Sequence, residues 1–294
     1  MRETCGLLLA GGNGTRLYPL TKVVNKHLLP IYDKPMIYYS LSTLMIAGIK
    51  DVAIIVRPED KMLFEHIFQD GEYLGMKINY IVQERPLGIP QAYVLAKSFI
   101  DNRNVVMTLG DNIFLGQGLG ETFANLTQIK GMKVFAFPVR NPQDYGVIQL
   151  EEKTKRIISI EEKPIKPKSN YVIPGIYFSD NSVVSFAEGL NPSKRGEFEI
   201  VDLINVYNSN NLLSVEFFRR GTGWMDAGSP EALYSASELV SVLQERQGLQ
   251  FGNPEEIAFR LGWINKTQLE QIAMNIGNTS YSKYLLSLLL DAAE

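Results

Sequence analysis

Apolar positions in the first half of the chain come in short runs separated by stretches of helical spacing. Cys5-Gly-Leu-Leu-Leu-Ala10 is a short apolar run that ends in glycines, as a strand buried on both faces does. Pro35 to Ala47 predicts a helix, with proline in the first turn and Gly48 near the end. Val52 to Val56 is a second β-branched run, followed by a predicted helix from Glu59 to Phe68. Lys77 to Val82 alternates like a strand, Pro90 to Phe99 reads as a helix, and Val105 to Leu109 is a further buried strand ending at Gly110-Asp111-Asn112. Strands that alternate with helices predict an α/β fold, a Rossmann-like, doubly wound and mostly parallel sheet.

From Lys133 the pattern changes to strand after strand: Val134 to Val139, Val147 to Leu150, Ile157 to Glu161 and Tyr171 to Phe178. An antiparallel or mixed extension of the sheet follows, of a kind that can carry a sugar-sized pocket. Phe198 to Tyr207 predicts a helix and Leu213 to Phe218 one more strand. After Ser229-Pro230 the pattern is helical, over Pro230 to Gln247, Pro254 to Leu261, Lys266 to Met274 and Tyr281 to Leu290. The expected division is a catalytic domain over 1–229 and a helical C-terminal segment over 230–294. The first splits where the pattern changes, into 1–132 and 133–229. The C-terminal segment would pack on the core or at a subunit interface.

Composition changes this picture little. The 294 residues are 45% hydrophobic and 21% charged, ordinary for a globular enzyme, and the net charge of −3 gives no basic field for nucleic acid or a membrane. A single cysteine, Cys5, excludes an internal disulfide and reads as a small buried hydrophobe, while two histidines make a histidine-rich metal site untenable. No secretion signal is visible, and the mostly apolar stretch Met36 to Gly48 is too short to span a bilayer, so a cytoplasmic location is expected.

The candidate chemistry begins where the first strand ends. Gly11-Gly12-Asn13-Gly14-Thr15-Arg16 stands at the carboxyl end of that strand, where open α/β sheets bind ligands. Glycines let the backbone approach phosphate oxygens and offer its N–H groups to them. The spacing fits neither a P-loop nor the dinucleotide fingerprint. A tight strand-to-loop connection has the same look. From Thr4 through Tyr32, however, there is no acidic residue, whereas Arg16, Lys22 and Lys26 are basic. A local positive patch in a slightly acidic protein suits a triphosphate, with arginine as a planar fork and lysine as a point charge, although a solvated basic loop has the same composition.

Two distant aspartates, Asp111 and Asp226, each lie in a turn-like segment. Magnesium is commonly held by one or two carboxylates together with phosphate oxygens and water, but either aspartate could equally serve as a turn or cap residue. Gln83 precedes a loop that contains Gly88, and its amide suits a pyrimidine edge. Glu162 could accept sugar hydroxyls and Lys163 neutralise a sugar phosphate, while the same charges suit a solvated edge strand.

Gly11 to Thr21, Asn25-Lys26-His27-Leu28-Leu29-Pro30 and Tyr32 to Tyr39 closely resemble the start of the glucose-1-phosphate thymidylyltransferase family of sugar-phosphate nucleotidyltransferases. The resemblance continues through Leu109 to Phe114, Glu161 to Pro164, Arg195-Gly196-Glu197, Trp224-Met225-Asp226 and Glu255 to Arg260. It implies transfer of a thymidylyl group from dTTP to glucose 1-phosphate with release of pyrophosphate, the first step of dTDP-deoxysugar synthesis. It also implies Mg2+ on Asp111 and Asp226, and catalysis by these with Arg16, Lys26 and Lys163. The nucleotide would be bound by Gly11, Gly12, Gly14, Thr15, Arg16, His27, Gln83 and Gly88. Tyr145, Gly146, Glu162, Lys163, Ile173 and Arg195 would take the sugar phosphate, which makes 1–132 the nucleotide half and 133–229 the sugar half. A homotetramer is implied as well, with room for a regulatory nucleotide site between subunits.

Three positions depart from the family pattern: His27 replaces a glutamine, Pro90 an alanine, and Ile173-Pro174 a valine-threonine pair. The last lies beside the implied sugar site, where proline removes a donor and fixes its own backbone angle. A uridylyl- or cytidylyltransferase would share the fold and differ at the base pocket. A nicotinamide-dependent dehydrogenase would need wider glycine spacing and an acidic residue after the second strand, where Val56-Arg57-Pro58 stands. A binding regulator without turnover would not need Arg16, Lys26, Asp111 and Asp226 together.

Overall fold

The computed structural model describes residues 3–126 and 129–291, so 1–2, 127–128 and 292–294, including the ends of the expected N- and C-terminal units, lie outside the described residues. In the first half, β1 (Thr4–Leu9) leads through a two-strand hairpin, β2 (Pro30–Ile31) and β3 (Lys34–Pro35), into α1 (Met36–Ile46). There follow β4 (Asp51–Val56), α2 (Lys61–Phe68), β5 (Lys77–Val82), two short helices α3 (Gln91–Leu95) and α4 (Lys97–Ile100), β6 (Asn104–Leu109), β7 (Asn112–Leu115) and α5 (Leu119–Ala124). The second half begins with β8 (Met132–Pro138), β9 (Gly146–Leu150), β10 (Ile157–Glu162), β11 (Tyr171–Val172), β12 (Ile176–Ser179), α6 (Ser182–Glu188) and α7 (Ile200–Ser209). It ends with β13 (Leu213–Phe217), β14 (Gly223–Asp226), α8 (Pro230–Gln247), α9 (Pro254–Arg260), α10 (Lys266–Ile276) and α11 (Ser280–Asp291).

The central sheet has the order β10-β9-β11-β8-β12-β6-β1-β4-β5, with β13 added along β8. Its heart, β5-β4-β1-β6, is parallel, while β12 runs antiparallel to both β6 and β8, and β13 parallel to β8. The expected α/β class with a mixed extension is therefore what the chain forms. Side-chain alternation divides the core in two. Leu8, Val52, Ile54 and Val106 face α1 and α2, where they meet Leu41, Leu44, Phe64 and Phe68. Leu7, Ala53, Ile55 and Met107 face the other way, toward Tyr93, Val183, Val201 and Ile204. The C-terminal helices share the first of these cores through Ala258, Leu269, Leu285 and Leu288.

Two expectations change. The strand from Tyr171 to Phe178 is broken into β11 and β12 by Ile173-Pro174-Gly175. Both pieces lie along β8, Tyr171 opposite Pro138 and Tyr177 opposite Val134, so the chain carries two extra residues there. Proline cannot donate a ladder hydrogen bond, so the strand bulges at this point, and Gly175 N donates instead to Asn112 Oδ1 at 2.9 Å. The helix from Pro90 to Phe99 divides at Ala96, whose φ of −88° and ψ of 10° leave the helical range.

Sequence patterning also passes over β7 and β14, which pair antiparallel outside the main sheet, Asp226 opposite Asn112. Ile113, Leu115 and Ala227 pack under this ladder against Ala236 and Val240 of α8. α8 starts with Ser229 accepting from Ala232 N at 3.2 Å and Pro230 in its first turn. Ser229→Ala should lower stability by about 1 kcal/mol, checked as a shift in the denaturation midpoint with an unchanged slope.

Candidate active site

Four parallel strands end on one edge, and the glycine-rich turn sits at its centre. Gly14 has φ of +62°, a left-handed conformation that favours glycine, and a Cβ there would come within 2.8 Å of the Thr21 methyl. Thr21 Oγ1 donates to the Gly14 carbonyl at 2.9 Å and so closes the loop on itself. Gly12 faces Lys26, with the Cβ position 3.5 Å from Lys26 Cε. Thr15, Arg16, Lys26, His27, Gln83 and Gly88 join Gly12 and Gly14 around a cleft of about 470 Å³.

Gln83 follows β5 and is buried, not exposed, with 2% of its surface accessible. Its Nε2 donates to Gln91 Oε1 at 2.8 Å, and Gln91 Oε1 also accepts from Leu87 N at 2.9 Å. Gln91 thus fixes which way the Gln83 amide faces. Gly11 does not line the cleft. Its part is steric, because a Cβ there would sit 2.2 Å from Gln83 Oε1. Gly88, at φ +111°, lies against the Phe198 carbonyl, which leaves no room for a side chain.

The two aspartates meet because β7 and β14 pair. Asp111 precedes β7, Asp226 ends β14, and Ala227 N donates to the Asp111 carbonyl at 2.9 Å. Asp111 is bonded by Lys26 Nζ through Oδ2 and by Asn112 Nδ2 through Oδ1, the latter at 3.0 Å. Burial opposes ionisation of Asp111, but the Lys26 ammonium outweighs it and holds the carboxyl well below the usual range. Asp226 behaves oppositely. Burial first, and then the Asp111 charge, push its carboxyl up to about 6, against the opposing pull of Arg16. Gly228 leaves space for both, since a Cβ there would lie 2.7 Å from Arg16 Nη2 and 2.8 Å from Asp226 Oδ1.

The two carboxylates, Asp111 buried and Asp226 half-buried, are close enough for the charge of one to raise the other, with Lys26 on Asp111 and Arg16 beside Asp226. Both donors are hard oxygens, and among the described residues no group of three His, Cys, Asp or Glu side chains is placed to hold a metal. Such a pair fits a cation that keeps waters and takes phosphate oxygens for the rest of its shell.

A second cleft of about 210 Å³ adjoins the first, and the two share Arg16, Ile89, Leu109 and Asp111. Tyr145, Gly146, Glu162, Lys163, Ile173 and Asp226 are among its walls. Lys163 has φ of +44°, and its N–H donates to the Tyr145 carbonyl at 3.0 Å. Its ammonium lies 3.7 Å from Glu162 Oε1, whose carboxyl is raised by burial. Ile173 N donates to the Gly146 carbonyl at 2.9 Å, so those two backbone groups are already paired.

Among the expected sugar-phosphate residues, Arg195 is held by acidic neighbours. Glu199 grips its guanidinium, Oε1 at 3.1 Å from Nε and Oε2 at 2.7 Å from Nη2, with Glu162 Oε1 3.6 Å away. It is not among the walls of the second cleft.

Asn112 escaped the sequence reading. Its Oδ1 accepts from Gly175 N and from Trp224 Nε1 (2.7 Å) while its Nδ2 holds Asp111, so one amide ties the bulge, the β14 strand and the first aspartate. Gln91 was missed in the same way. For Asn112 the available signal was a polar residue directly after Asp111 at the end of a buried strand.

The nucleotidyl transferase family matches residues 5–241. Over 284 residues the chain is 47% identical to glucose-1-phosphate thymidylyltransferase of Mycobacterium tuberculosis (strain H37Rv), covering 97% of this chain and 98% of that protein. The enzyme of the same name from Neisseria meningitidis is 47% identical over 285 residues, covering 97% and 99%. Among solved structures, a Bacillus anthracis protein titled as a glucose-1-phosphate thymidylyltransferase, in complex with sucrose, is 39% identical with a TM-score of 0.74 over 80% of this chain and 94% of that one. A UDP-glucose pyrophosphorylase complexed with UDP-glucose, 23% identical with a TM-score of 0.72 over 83% of this chain and 100% of that one, shares the fold. Likeness over almost the full length of such relatives, on a sheet edge that gathers two clefts around two aspartates, shows that the chain belongs to the nucleotidyl transferase family.

Proposed function

We propose that the chain is a glucose-1-phosphate thymidylyltransferase, which joins dTTP to α-D-glucose 1-phosphate and releases pyrophosphate. The carrying observation is that two clefts of different chemistry meet at Arg16 and Asp111. The first, with its glycine turn and the Gln83 amide, suits a nucleoside triphosphate. The second, with Glu162 and Lys163, suits a sugar phosphate. The names of the relatives support the reading, as does their coverage of the chain.

In this reading a sugar-phosphate oxygen forms a bond to the α-phosphorus, and the bond from that phosphorus to pyrophosphate breaks. The pyrophosphate leaves with the electron pair. The attacking oxygen is already ionised at neutral pH, so no general base is required, and catalysis is positioning plus charge compensation. Arg16 compensates charge where the two substrates meet. Lys26 is already drawn to Asp111 and lies beside Gly12, within reach of a triphosphate in the turn. Lys163 offsets the repulsion between two anions.

Nucleotidyl transferases of this family generally need a divalent metal. We assign Mg2+, held by Asp111 and Asp226, where it would supply Lewis-acid stabilisation of phosphoryl charge. Gly12, Gly14, Thr15, His27, Gln83 and Gly88 are assigned to the nucleotide, with Gly11 leaving Gln83 its room. Tyr145, Gly146, Glu162, Lys163 and Ile173 are assigned to the sugar phosphate, with Arg195 joining once Glu199 releases it.

No helix among the described residues is long and apolar enough to cross a membrane, and small phosphorylated substrates favour a cytoplasmic setting. Exposed apolar side chains on α8, Val242 at 50% and Leu239 at 39%, leave the helical segment over 230–294 a face for a subunit interface, consistent with a homotetramer, to be checked by light scattering. The deciding assay sets dTTP, UTP and CTP against several sugar 1-phosphates, reading pyrophosphate with and without magnesium. Release should be fastest with dTTP and glucose 1-phosphate and should need the metal. Preference for another nucleotide, or release indifferent to the sugar phosphate, overturns the reading. Lys163→Ala should raise the KM for sugar 1-phosphate roughly tenfold or more, while the KM for dTTP stays near its parent value.

A further inference from the structure

Asn112, the first residue of β7, is almost wholly buried, with 2% of its surface accessible, yet borders the second cleft. Two of its side-chain partners can only donate: Gly175 N at 2.9 Å and Trp224 Nε1 at 2.7 Å. A backbone N–H and an indole N–H have no lone pair to offer, so the atom that meets both is the side-chain oxygen. The amide nitrogen then faces Asp111 Oδ1 at 3.0 Å. The amide has one orientation.

These partners differ in how firmly they are held without Asn112. The Gly175 carbonyl accepts from Leu109 N at 2.9 Å, and Ile173 N and Ile176 N donate to the Gly146 and Pro174 carbonyls at 2.9 and 2.8 Å. Asp111 is gripped by Lys26. Bulge and aspartate are therefore a fixed frame that pins the amide between them. The Trp224 ring is not part of that frame. Pairing with Phe114 sets its backbone, but the ring still turns about two side-chain bonds. Tyr145 and Phe137 meet it at steep angles, with centroids 5.2 and 5.6 Å away. Ring contacts of this kind tolerate an indole either way round, whereas the bond from Nε1 to Asn112 has a direction.

Asn112, Ile173, Gly175 and Trp224 border the second cleft, and none of them borders the first. Nitrogen is the one polar atom of an indole, so with Nε1 engaged the Trp224 ring gives its side of the cleft a carbon surface. A half-turn of the ring would carry that N–H away from Asn112 and change the shape and polarity of the wall.

We infer that Asn112 is a positioning residue for the sugar-phosphate cleft: its side-chain oxygen, pinned by Gly175 and Asp111, fixes the rotamer of the Trp224 indole that walls the cleft. The identity of the ligand rests on the glucose 1-phosphate reading, but the rotamer does not.

The chain contains two tryptophans, Trp224 and Trp263. In full-length protein labelled with 15N-tryptophan, the indole signal missing from Trp224→Phe identifies Trp224. Asn112→Ala should speed hydrogen exchange at that N–H about tenfold or more. It should also raise the KM for glucose 1-phosphate roughly tenfold, with the KM for dTTP near its parent value. Asn112→Asp keeps an accepting oxygen in the same place, whether or not it is ionised, and should restore both slow exchange and the parental KM. A merely structural role would lower the thermal midpoint and leave the ratio of the two KM values unchanged. Should Asn112→Ala not fold, Asn112→Val suits a strand, fills more of the space and also offers no acceptor. Parental exchange at Trp224 in a folded alanine or valine variant overturns the inference. So does faster exchange with an unmoved KM for glucose 1-phosphate, or an aspartate variant that behaves as the alanine variant does. Failure of the transferase reading would appear separately, as a parent protein that releases no pyrophosphate, and the indole exchange would still decide the rotamer.

Discussion

Asp111→Asn is expected to slow pyrophosphate release by about a thousandfold while leaving the protein folded, a loss of the size seen when one preorganised charge is withdrawn from a developing phosphoryl charge. Two opposing effects keep the cost to folding small. The Lys26 ammonium loses its direct partner, which is destabilising for a buried cation. At the same time Asp226 is freed from the repulsion that helps to raise its carboxyl, and its charge remains to face Lys26. Activity and thermal midpoint should therefore separate: turnover nearly abolished, Tm shifted by only a few degrees. A folded variant that keeps near-parental turnover with magnesium would remove Asp111 from the metal assignment.

Arg16→Ala should cost about a hundredfold in kcat/KM for both substrates. Most of the assigned residues touch one cleft, but Arg16 and Asp111 border both. Its guanidinium also lies beside Gly228 and pulls against the raised Asp226 carboxyl. Arg16→Lys should recover little, because a point charge cannot reproduce a planar fork that faces two anions. Steady-state kinetics with each substrate varied in turn would check this. A loss confined to dTTP would place Arg16 in the nucleotide cleft alone.

The parallel heart of the fold was readable because β1, β4 and β6 are apolar on both faces and end in glycine or polar punctuation. What could not be read depends on contacts between distant segments. β7 and β14 are four residues each, too short for periodicity to register, yet their pairing decides whether Asp111 meets Asp226. Tyr171 to Phe178 is apolar enough to pass for one strand, and only the partner strand β8 exposes the two surplus residues at Pro174. Glutamine is usually exposed, and nothing local marks Gln83 as an exception. Its burial follows from Gly11 giving it room and Gln91 giving it a partner. Arg195 was expected to meet a phosphate, and its pairing with Glu199, a carboxylate four residues further along, was not read.

The β7–β14 ladder has a consequence for how the protein is made. A chain emerging from the ribosome can complete the parallel heart of the sheet once β6 has been synthesised, because β1, β4 and β5 precede it. The second carboxylate arrives more than a hundred residues later, when Asp226 comes to lie opposite Asn112. Long-range pairings of this kind close slowly and late. A nascent or truncated chain can thus possess the phosphate-facing turn while lacking its paired acids. Competence for turnover should appear abruptly, only once translation has passed β14.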